Sequence, residues 1–190
     1  MLYGAAGPVT DCNLPFAFWG PLAFWGASMI ETPFDRHRSV VLPEWIDYNG
    51  HMNVAYYLLA FDHATDAFLD YLGLDDEHRK ASGGTTFAAD IRLTYQREVA
   101  EGAKLRVTSQ LLGFDDKRIR FFNRMFHAEE GFLAATMESL SLYVDLERRR
   151  VTTLPAAIQE RLGAVLAAHR SLPVPGEAGQ VIEKPALPAL

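Results

Sequence analysis

Two hydrophobic periods follow one another along the chain, and their order restricts the fold more than any other feature. From Asn53 to Leu72, apolar residues recur every three or four positions, which predicts one amphipathic helix of about five turns. After Gly84 the period changes to two, which predicts four consecutive strands joined by short turns. These predicted strands span residues 87–96, 104–111, 118–125 and 132–145.

Other segments complete this pattern. A strand is predicted over residues 36–42 and a second helix over residues 155–169, whereas the charged, then Gly- and Ser-rich, segment 75–84 is typical of a loop. One long helix cannot cover both faces of a five-stranded sheet, so the sheet must curve around it or use a second chain. The predicted class is α+β, and the order of elements resembles the hotdog fold, in which a curved antiparallel sheet of five strands wraps around one central helix. Such a sheet commonly dimerises, because pairing removes an exposed edge.

Both ends of the chain differ from this central domain, which is predicted to span residues 29–170. Residues 14–27 are apolar and contain AFWG twice. A signal peptide would begin with a positively charged region, but no basic residue precedes Arg36. This run is broken by Gly20 and Pro21 and is short for a membrane helix. Residues 1–28 are either an anchor on a partner or membrane surface or, as we favour, an extension of little function. Residues 171–190 contain four prolines, which predicts a mobile tail.

The charge and the cysteine count exclude several classes of protein. The net charge is −6, from 18 basic and 24 acidic side chains, which argues against nucleic acid as a main partner. A single cysteine, Cys12, rules out an intrachain disulfide, and no Cys or His spacing resembles a zinc site. We therefore expect no bound metal, no membrane span and a reducing, cytoplasmic location.

The segment from Trp45 to Tyr57 carries the chemistry that the sequence predicts. It reads W-I-D-Y-N-G-H-M-N-V-A-Y-Y and joins the first strand to the long helix. Its residues 47–56, D-Y-N-G-H-M-N-V-A-Y, resemble the 4-hydroxybenzoyl-CoA thioesterase-like family of the hotdog superfamily. The resemblance covers residues 36–154 and neither end. It implies a hotdog fold, a homodimer or homotetramer, and hydrolysis of a small acyl-CoA, with coenzyme A as part of the substrate and no separate cofactor.

The residue types in this motif suit attack on a thioester carbonyl. Gly50 permits a sharp turn with positive φ just before the helix. The first N–H groups of the helix, from Asn53 onward, lack intrahelical acceptors and lie at the positive end of the helix dipole. Such donors can stabilise an oxyanion, and the resemblance assigns this role to the backbone N–H of Val54. Asp47 would then act as the nucleophile or as the general base for water.

Each of these residues also has a simpler interpretation. Asp47 could merely begin the turn, a common use of Asp before a glycine, but the complete motif favours catalysis. His51 is replaced by apolar residues in relatives that use Asp, so we expect it to order the loop. Asn53 is expected to cap the helix rather than to bind substrate.

Aromatic side chains around the motif are candidates for binding the acyl group. They are Trp45, Tyr48, Tyr56 and Tyr57. Aromatic rings can surround a quaternary ammonium through cation–π attraction. The motif is also similar to thioesterases of carnitine breakdown, which hydrolyse betainyl-CoA, so this ester is the specific substrate that we expect. Core packing and an aryl pocket are the alternatives for the same rings.

Coenzyme A also brings phosphate groups that require cationic partners. Relatives contact them through basic residues near strand ends, often on the neighbouring subunit. The residues in this chain that match that description are Lys117 and Arg118. Exposed basic side chains on a strand nevertheless often serve solvation alone.

Two other functions stay open on the sequence. A hotdog hydratase or dehydratase would pair a histidine with an acidic residue across a dimer, and His51 could serve, but the aspartate-first spacing argues against it. A non-catalytic acyl-CoA-binding protein would usually carry a DNA-binding segment, for which the apolar N-terminus is unsuited. A serine hydrolase with the usual nucleophile motif is excluded, because no G-x-S-x-G sequence occurs.

Overall fold

Five long antiparallel strands curl around one helix in the computed structural model, which describes residues 29–182. The predicted N-terminal extension and the last eight residues of the predicted tail lie outside the described residues. In chain order the elements are β1 (Phe34–Val40), α1 (Val54–Tyr71), α2 (Asp76–Ser82), β2 (Gly84–Tyr95), β3 (Lys104–Phe114), β4 (Arg118–His127), β5 (Leu133–Asp145), β6 (Arg150–Val151) and α3 (Ala156–His169).

The strand order β1-β3-β4-β5-β2 makes β1 and β2 the two edges of the sheet, while the two-residue β6 pairs with the end of β5. The predicted α+β class and the five long strands are therefore confirmed. Strand β1 lies two residues earlier than expected, because the chain leaves the sheet before Pro43. Val41 still donates its N–H to Ala103 O at 3.0 Å, and Trp45 N–H then bonds to Leu42 O at 3.0 Å to start a turn.

Helix α1 forms the predicted centre of the fold. Asn53 is its N-cap, with Oδ1 accepting the Ala55 N–H at 3.0 Å, and Gly73 follows the helix with a φ of +86° that few other residues adopt. The helix buries Phe61 and Phe68 completely against the inner face of the sheet. Burial of each ring stabilises the fold by about 1.5–3 kcal/mol.

The prediction of a loop over residues 75–84 is wrong, since this segment contains helix α2. Asp75 caps the helix by accepting the His78 N–H at 2.8 Å, and Gly83 ends it in a left-handed conformation with φ of +67°. None of its residues is buried. Its caps, its surface ion pairs and a 2.8 Å hydrogen bond between His78 Nε2 and the Tyr143 hydroxyl hold the helix in place. Because the helix has no apolar period, the sequence pattern could not reveal it.

Helix α3 occurs as predicted and buries Ile158, Leu162 and Val165 in the core. The segment after it lies across the sheet face opposite α1. Gln110 Nε2 donates to Pro173 O at 3.3 Å, Arg92 Nη1 donates to Glu177 O at 3.1 Å, and Gly179 N donates to Glu138 Oε2 at 2.6 Å. The first part of the predicted mobile tail is thus held against the sheet rather than free of it.

Candidate active site

The loop between β1 and α1 folds back on itself and presents the predicted motif. Ile46 pairs with Met52 in an isolated antiparallel bridge, and within it Asp47 N–H donates to His51 O at 3.1 Å. The reversal is completed by Gly50, whose N–H bonds to Asp47 O at 3.0 Å and whose φ is +81°. A side chain at that φ would be strained, so the expected turn role of Gly50 agrees with its conformation.

The two carboxylate oxygens of Asp47 have different neighbours. Oδ1 accepts the Asn49 N–H at 2.7 Å, which is the turn-forming contact of the simpler interpretation. Oδ2 lies 3.5 Å from Asn53 Nδ2, at the long end of the hydrogen-bond range. Asn53 uses its other amide atom, Oδ1, to cap α1 at Ala55 N–H. One oxygen of Asp47 therefore shapes the loop while the other faces the start of the helix.

Val54 is the first residue of α1, and its backbone N–H is available as a donor. Among residues 29–182 this N–H donates no hydrogen bond. The residue is 58% exposed, so a ligand can reach the helix start. An N–H at the positive end of an 18-residue helix is well suited to hold a developing oxyanion.

His51 contacts the loop and one neighbouring carboxylate. Its Nδ1 lies 3.2 Å from Met52 O, and its Nε2 lies 3.9 Å from Glu98 Oε2. Met52 N–H in turn donates to Val99 O at 2.9 Å. These contacts agree with the expected role in ordering the loop. The carboxylate beside His51 belongs to the same chain and is exposed, unlike the cross-subunit pair that the hydratase alternative requires.

The four predicted aromatic residues do not form one cluster. Trp45 is buried and stacks on Tyr56, with ring centroids 5.4 Å apart and an interplanar angle of 11°. Tyr57 is also buried and belongs to the core. Tyr48 is 96% exposed, because the loop reversal directs it into solvent. The prediction that Tyr48 helps to enclose the acyl group is therefore not supported within one chain.

Tyr95, at the end of β2, is the aromatic residue that sequence reasoning missed. Its ring packs edge-on against Tyr57 at 5.2 Å, and its hydroxyl donates to Val54 O at 3.3 Å. The two rings border a pocket of about 180 Å³ beside the helix start. The pocket is lined by His51, Met52, Val54, Tyr57, Tyr95, Gln96, Arg97 and Glu98. Tyr95 lies 41 positions after Val54, so only the tertiary fold reveals the contact.

Burial dominates the electrostatics of these two tyrosines. It raises the pKa of both hydroxyls, because a phenolate loses hydration inside the protein. The Glu98 carboxylate raises the pKa of Tyr57 further, although a hydrogen bond from the Val99 backbone opposes this. Both hydroxyls are therefore protonated at neutral pH and the rings are uncharged.

Lys117 and Arg118 lie at the far end of the sheet from Asp47. Arg118 pairs with Leu142 on β5, whereas Tyr95, beside the helix start, pairs with Ala135. Leu142 and Ala135 are seven positions apart on β5, or roughly 24 Å. Both cations also have anionic neighbours in their own hairpin. Arg118 Nε donates to Asp115 Oδ2 at 2.6 Å, and Lys117 Nζ lies 3.8 Å from Asp116 Oδ2.

The described part of the chain shows neither a candidate metal site nor a candidate membrane-spanning helix. Within residues 29–182 no three His, Cys, Asp or Glu side chains are grouped to hold a metal ion. No helix in the same range combines the length and the apolar character needed to cross a membrane.

An antiparallel sheet curled around one long helix, with the Asp47 loop leading into the start of that helix, is the architecture of the hotdog thioesterases. The chain belongs to the thioesterase-like superfamily, whose family model matches residues 41–162. The predictions of a hotdog fold and of a thioester hydrolase are thereby confirmed.

Two curated relatives are similar over most of the chain. A betainyl-CoA thioesterase of Pseudomonas aeruginosa is 41% identical over 149 residues, which cover 78% of this chain and 94% of the relative. An L-carnitine dehydrogenase/betainyl-CoA thioesterase of Agrobacterium fabrum is 36% identical over 157 residues. That match covers 83% of this chain but 32% of the relative, so the chain corresponds to about a third of that longer protein.

Solved structures show the same fold. A Staphylococcus aureus protein in complex with CoA superposes with a TM-score of 0.76 and 27% identity, covering 84% of this chain and 100% of that one. A 1,4-dihydroxy-2-naphthoyl-CoA thioesterase from Synechocystis gives a TM-score of 0.60 with 17% identity, covering 68% of this chain and 95% of that one. At that identity, the second likeness concerns the fold alone.

Proposed function

We propose that the protein hydrolyses betainyl-CoA, or a similarly small acyl-CoA, to the free acid and coenzyme A. The observation that carries this proposal is the unpartnered Val54 N–H at the start of α1, with the Asp47 carboxylate held beside it through Asn53. The 41% identity to a betainyl-CoA thioesterase supports the choice of acyl group.

The Val54 N–H would bind the carbonyl oxygen of the thioester. When a nucleophile adds to the carbonyl carbon, negative charge develops on this oxygen. A donor fixed by the helix needs no reorganisation at that moment, and the helix dipole adds to its field. The side chain of Val54 has no part in this role.

Asp47 has two possible routes. As a general base it takes a proton from water while the water oxygen bonds to the carbonyl carbon. The tetrahedral intermediate then loses the thiolate of coenzyme A, which takes up the proton. As a nucleophile, an Asp47 oxygen bonds to the carbonyl carbon and expels the same thiolate, and water then hydrolyses the resulting anhydride. Both routes use the same carboxylate and the same N–H.

Two copies of the chain would complete the site by pairing through β2. This edge strand has 12 residues and exposes Phe87 and Ile91, and the half-exposed Leu58 of α1 flanks it. An antiparallel β2–β2 pair would bring the start of one strand to the end of the other. Lys117 and Arg118 of one copy would then lie at the Asp47 end of the other, where coenzyme A phosphates could reach them.

The test is thiol release from a panel of acyl-CoA esters by the full chain. We expect betainyl-CoA to be hydrolysed with a higher kcat/KM than acetyl-CoA or palmitoyl-CoA, and betaine to form in equal amount to the thiol. A higher kcat/KM for palmitoyl-CoA would overturn the proposed substrate. Binding of the esters without thiol release would indicate the non-catalytic alternative.

A further inference from the structure

The pocket beside the helix start contains side chains that the reaction above does not use. Two aromatic rings and one carboxylate border it, namely Tyr57, Tyr95 and Glu98. We propose that these three side chains form a binding site for a cationic acyl substituent, the trimethylammonium group of betainyl-CoA. This inference rests on the proposed function and assigns the residues that recognise its substrate.

The position of the pocket matches the length of the acyl group. In betainyl-CoA one methylene separates the carbonyl carbon from the quaternary nitrogen, so the cation must bind close to the oxyanion donor. Val54, which supplies that donor, also lines the pocket. The Tyr95 hydroxyl is hydrogen-bonded to Val54 O at 3.3 Å, which places this ring next to the same residue. The pocket therefore adjoins the position that the thioester carbonyl group would occupy at the Val54 N–H.

The two rings can offer an aromatic surface to a cation. Tyr57 and Tyr95 both line the pocket, and their rings meet at an interplanar angle of 84°. Tyr57 is buried, so Tyr95 supplies the more accessible ring. Tyr95 is about half exposed, which leaves part of its ring accessible. A cation within about 6 Å of such a ring is attracted by its quadrupole. Trp45 and Tyr56 are less suitable, because each stacks a face on the other.

The charged side chains around the pocket include one carboxylate that a cation can reach. Glu98 carries this exposed carboxylate, whereas the guanidinium of Arg97 has neighbours of its own outside the pocket lining. Arg97 Cζ lies 3.9 Å from the centroid of the Phe132 ring, and its Nη2 lies 3.6 Å from Glu130 Oε2. Besides these groups, His51 lines the pocket, with its Nε2 3.9 Å from Glu98 Oε2.

The size of the pocket suits a compact acyl substituent. Its volume is about 180 Å³, below the roughly 300–1,000 Å³ of sites for drug-sized ligands. A trimethylammonium group fits a space of this size.

A neutral isostere of the substrate isolates the effect of the charge. 3,3-Dimethylbutyryl-CoA carries a tert-butyl group in place of trimethylammonium, so the two esters share one shape and differ by one positive charge. The measured quantity is the ratio of kcat/KM for betainyl-CoA to that for the isostere. We expect a ratio well above one for the wild type.

Two variants then test the assignment. We expect Tyr95→Leu to lower the ratio by roughly 3- to 30-fold, the range of one cation–π contact. Glu98→Gln should lower it by roughly threefold or more, through loss of the carboxylate field. Tyr95→Phe keeps the ring and should keep most of the preference. Glu101→Gln, an exposed glutamate on the following loop, is the matched control and should leave the ratio unchanged.

The outcomes separate this inference from the proposed function. A wild type that hydrolyses betainyl-CoA and the isostere equally well would overturn the cation site but not the proposed function, whereas a wild type that hydrolyses neither ester would overturn both. A wild type with the preference, retained in both Tyr95→Leu and Glu98→Gln, would overturn only the cation site. If a variant hydrolyses neither ester, the charge preference is measured instead as the ratio of the dissociation constants of the two non-hydrolysable thioether analogues. Thermal unfolding of each variant verifies that it is folded.

Discussion

Asn53 Nδ2 lies 3.5 Å from Asp47 Oδ2, so the residue that caps helix α1 also touches the candidate catalytic carboxylate. The cap and the carboxylate are six positions apart and are brought together by the reversed loop. This arrangement fixes Asp47 relative to the Val54 N–H, because both are attached to the same helix start. We therefore expect Asn53 to position Asp47 in addition to capping the helix.

The substitution Asn53→Ser separates these two functions. Serine is a good N-cap, so the free energy of unfolding should change by only a few tenths of a kcal/mol. The contact with Asp47 is lost, and kcat should fall roughly tenfold or more while KM changes little. Steady-state kinetics and chemical denaturation measure the two effects.

Asn53→Ala is the companion variant. It loses the cap as well, so it should cost about 1 kcal/mol of stability in addition to the same loss of kcat. If Asn53→Ser turns over at the wild-type rate, the capping role alone accounts for this residue.

Replacement of the carboxylate tests the reaction itself. Asp47→Asn keeps the size of the side chain but removes the charge, so turnover should fall by roughly 100-fold or more with a modest change in KM. Val54→Ala keeps the backbone donor, and His51→Ala removes a loop contact, so both should be much milder. Near-normal hydrolysis by Asp47→Asn, together with an inactive His51→Ala, would contradict this order and favour chemistry based on His51.

Pairing through β2 predicts an oligomer that a charge can disrupt. Ile91 is 37% exposed on this edge, and Ile91→Lys should convert the oligomer into a monomer with reduced thiol release, because a lysine would be buried at the interface. Sedimentation velocity at micromolar concentration measures the change.

The matched control lies on the opposite edge of the sheet. Val40 of β1 is 45% exposed, and Val40→Lys should leave the assembly intact. A wild-type monomer of 21.2 kDa with full activity would contradict the interface.

Much of the fold was predictable because it depends on local signals. Asn53 and Gly73 mark the ends of α1, and the period of the apolar residues between them identifies the buried face. Helix α2 was not predictable in this way, since it buries no side chain. Val54 and Leu58 fit the apolar period but are exposed, because they lie on the flank of α1 that faces the free edge of the sheet.

The candidate site was predictable in part. The loop motif identified Asp47, Gly50 and Asn53, which contact residues close to them in the sequence. Tyr95 was not identified, because its contact with Val54 exists only after β2 has paired with β5. The direction of Tyr48 depends on the geometry of one turn, which residue type alone does not determine.

The buried His169 predicts how stability depends on pH. Its Nδ1 accepts the Leu111 N–H at 2.8 Å, and its Nε2 donates to Glu31 O at 2.8 Å, so both ring nitrogens are used by the neutral imidazole. Burial lowers the pKa of this residue, although the bond to Glu31 opposes the shift, and burial also lowers the pKa of His37. Below the unfolded value of about 6.5, the unfolded chain therefore binds more protons than the folded chain.

The free energy of unfolding should accordingly be constant above about pH 7 and decrease as the pH falls from about 6.5 towards 5. His169→Gln removes this titration and cannot satisfy both backbone groups, so it should cost about 1–3 kcal/mol at pH 7.5 and flatten the decrease. Urea denaturation between pH 5 and 8 measures both effects. If the decrease is unchanged in His169→Gln but disappears in His37→Gln, protonation of His37 is its cause, and the neutral bridge formed by His169 does not determine the pH dependence.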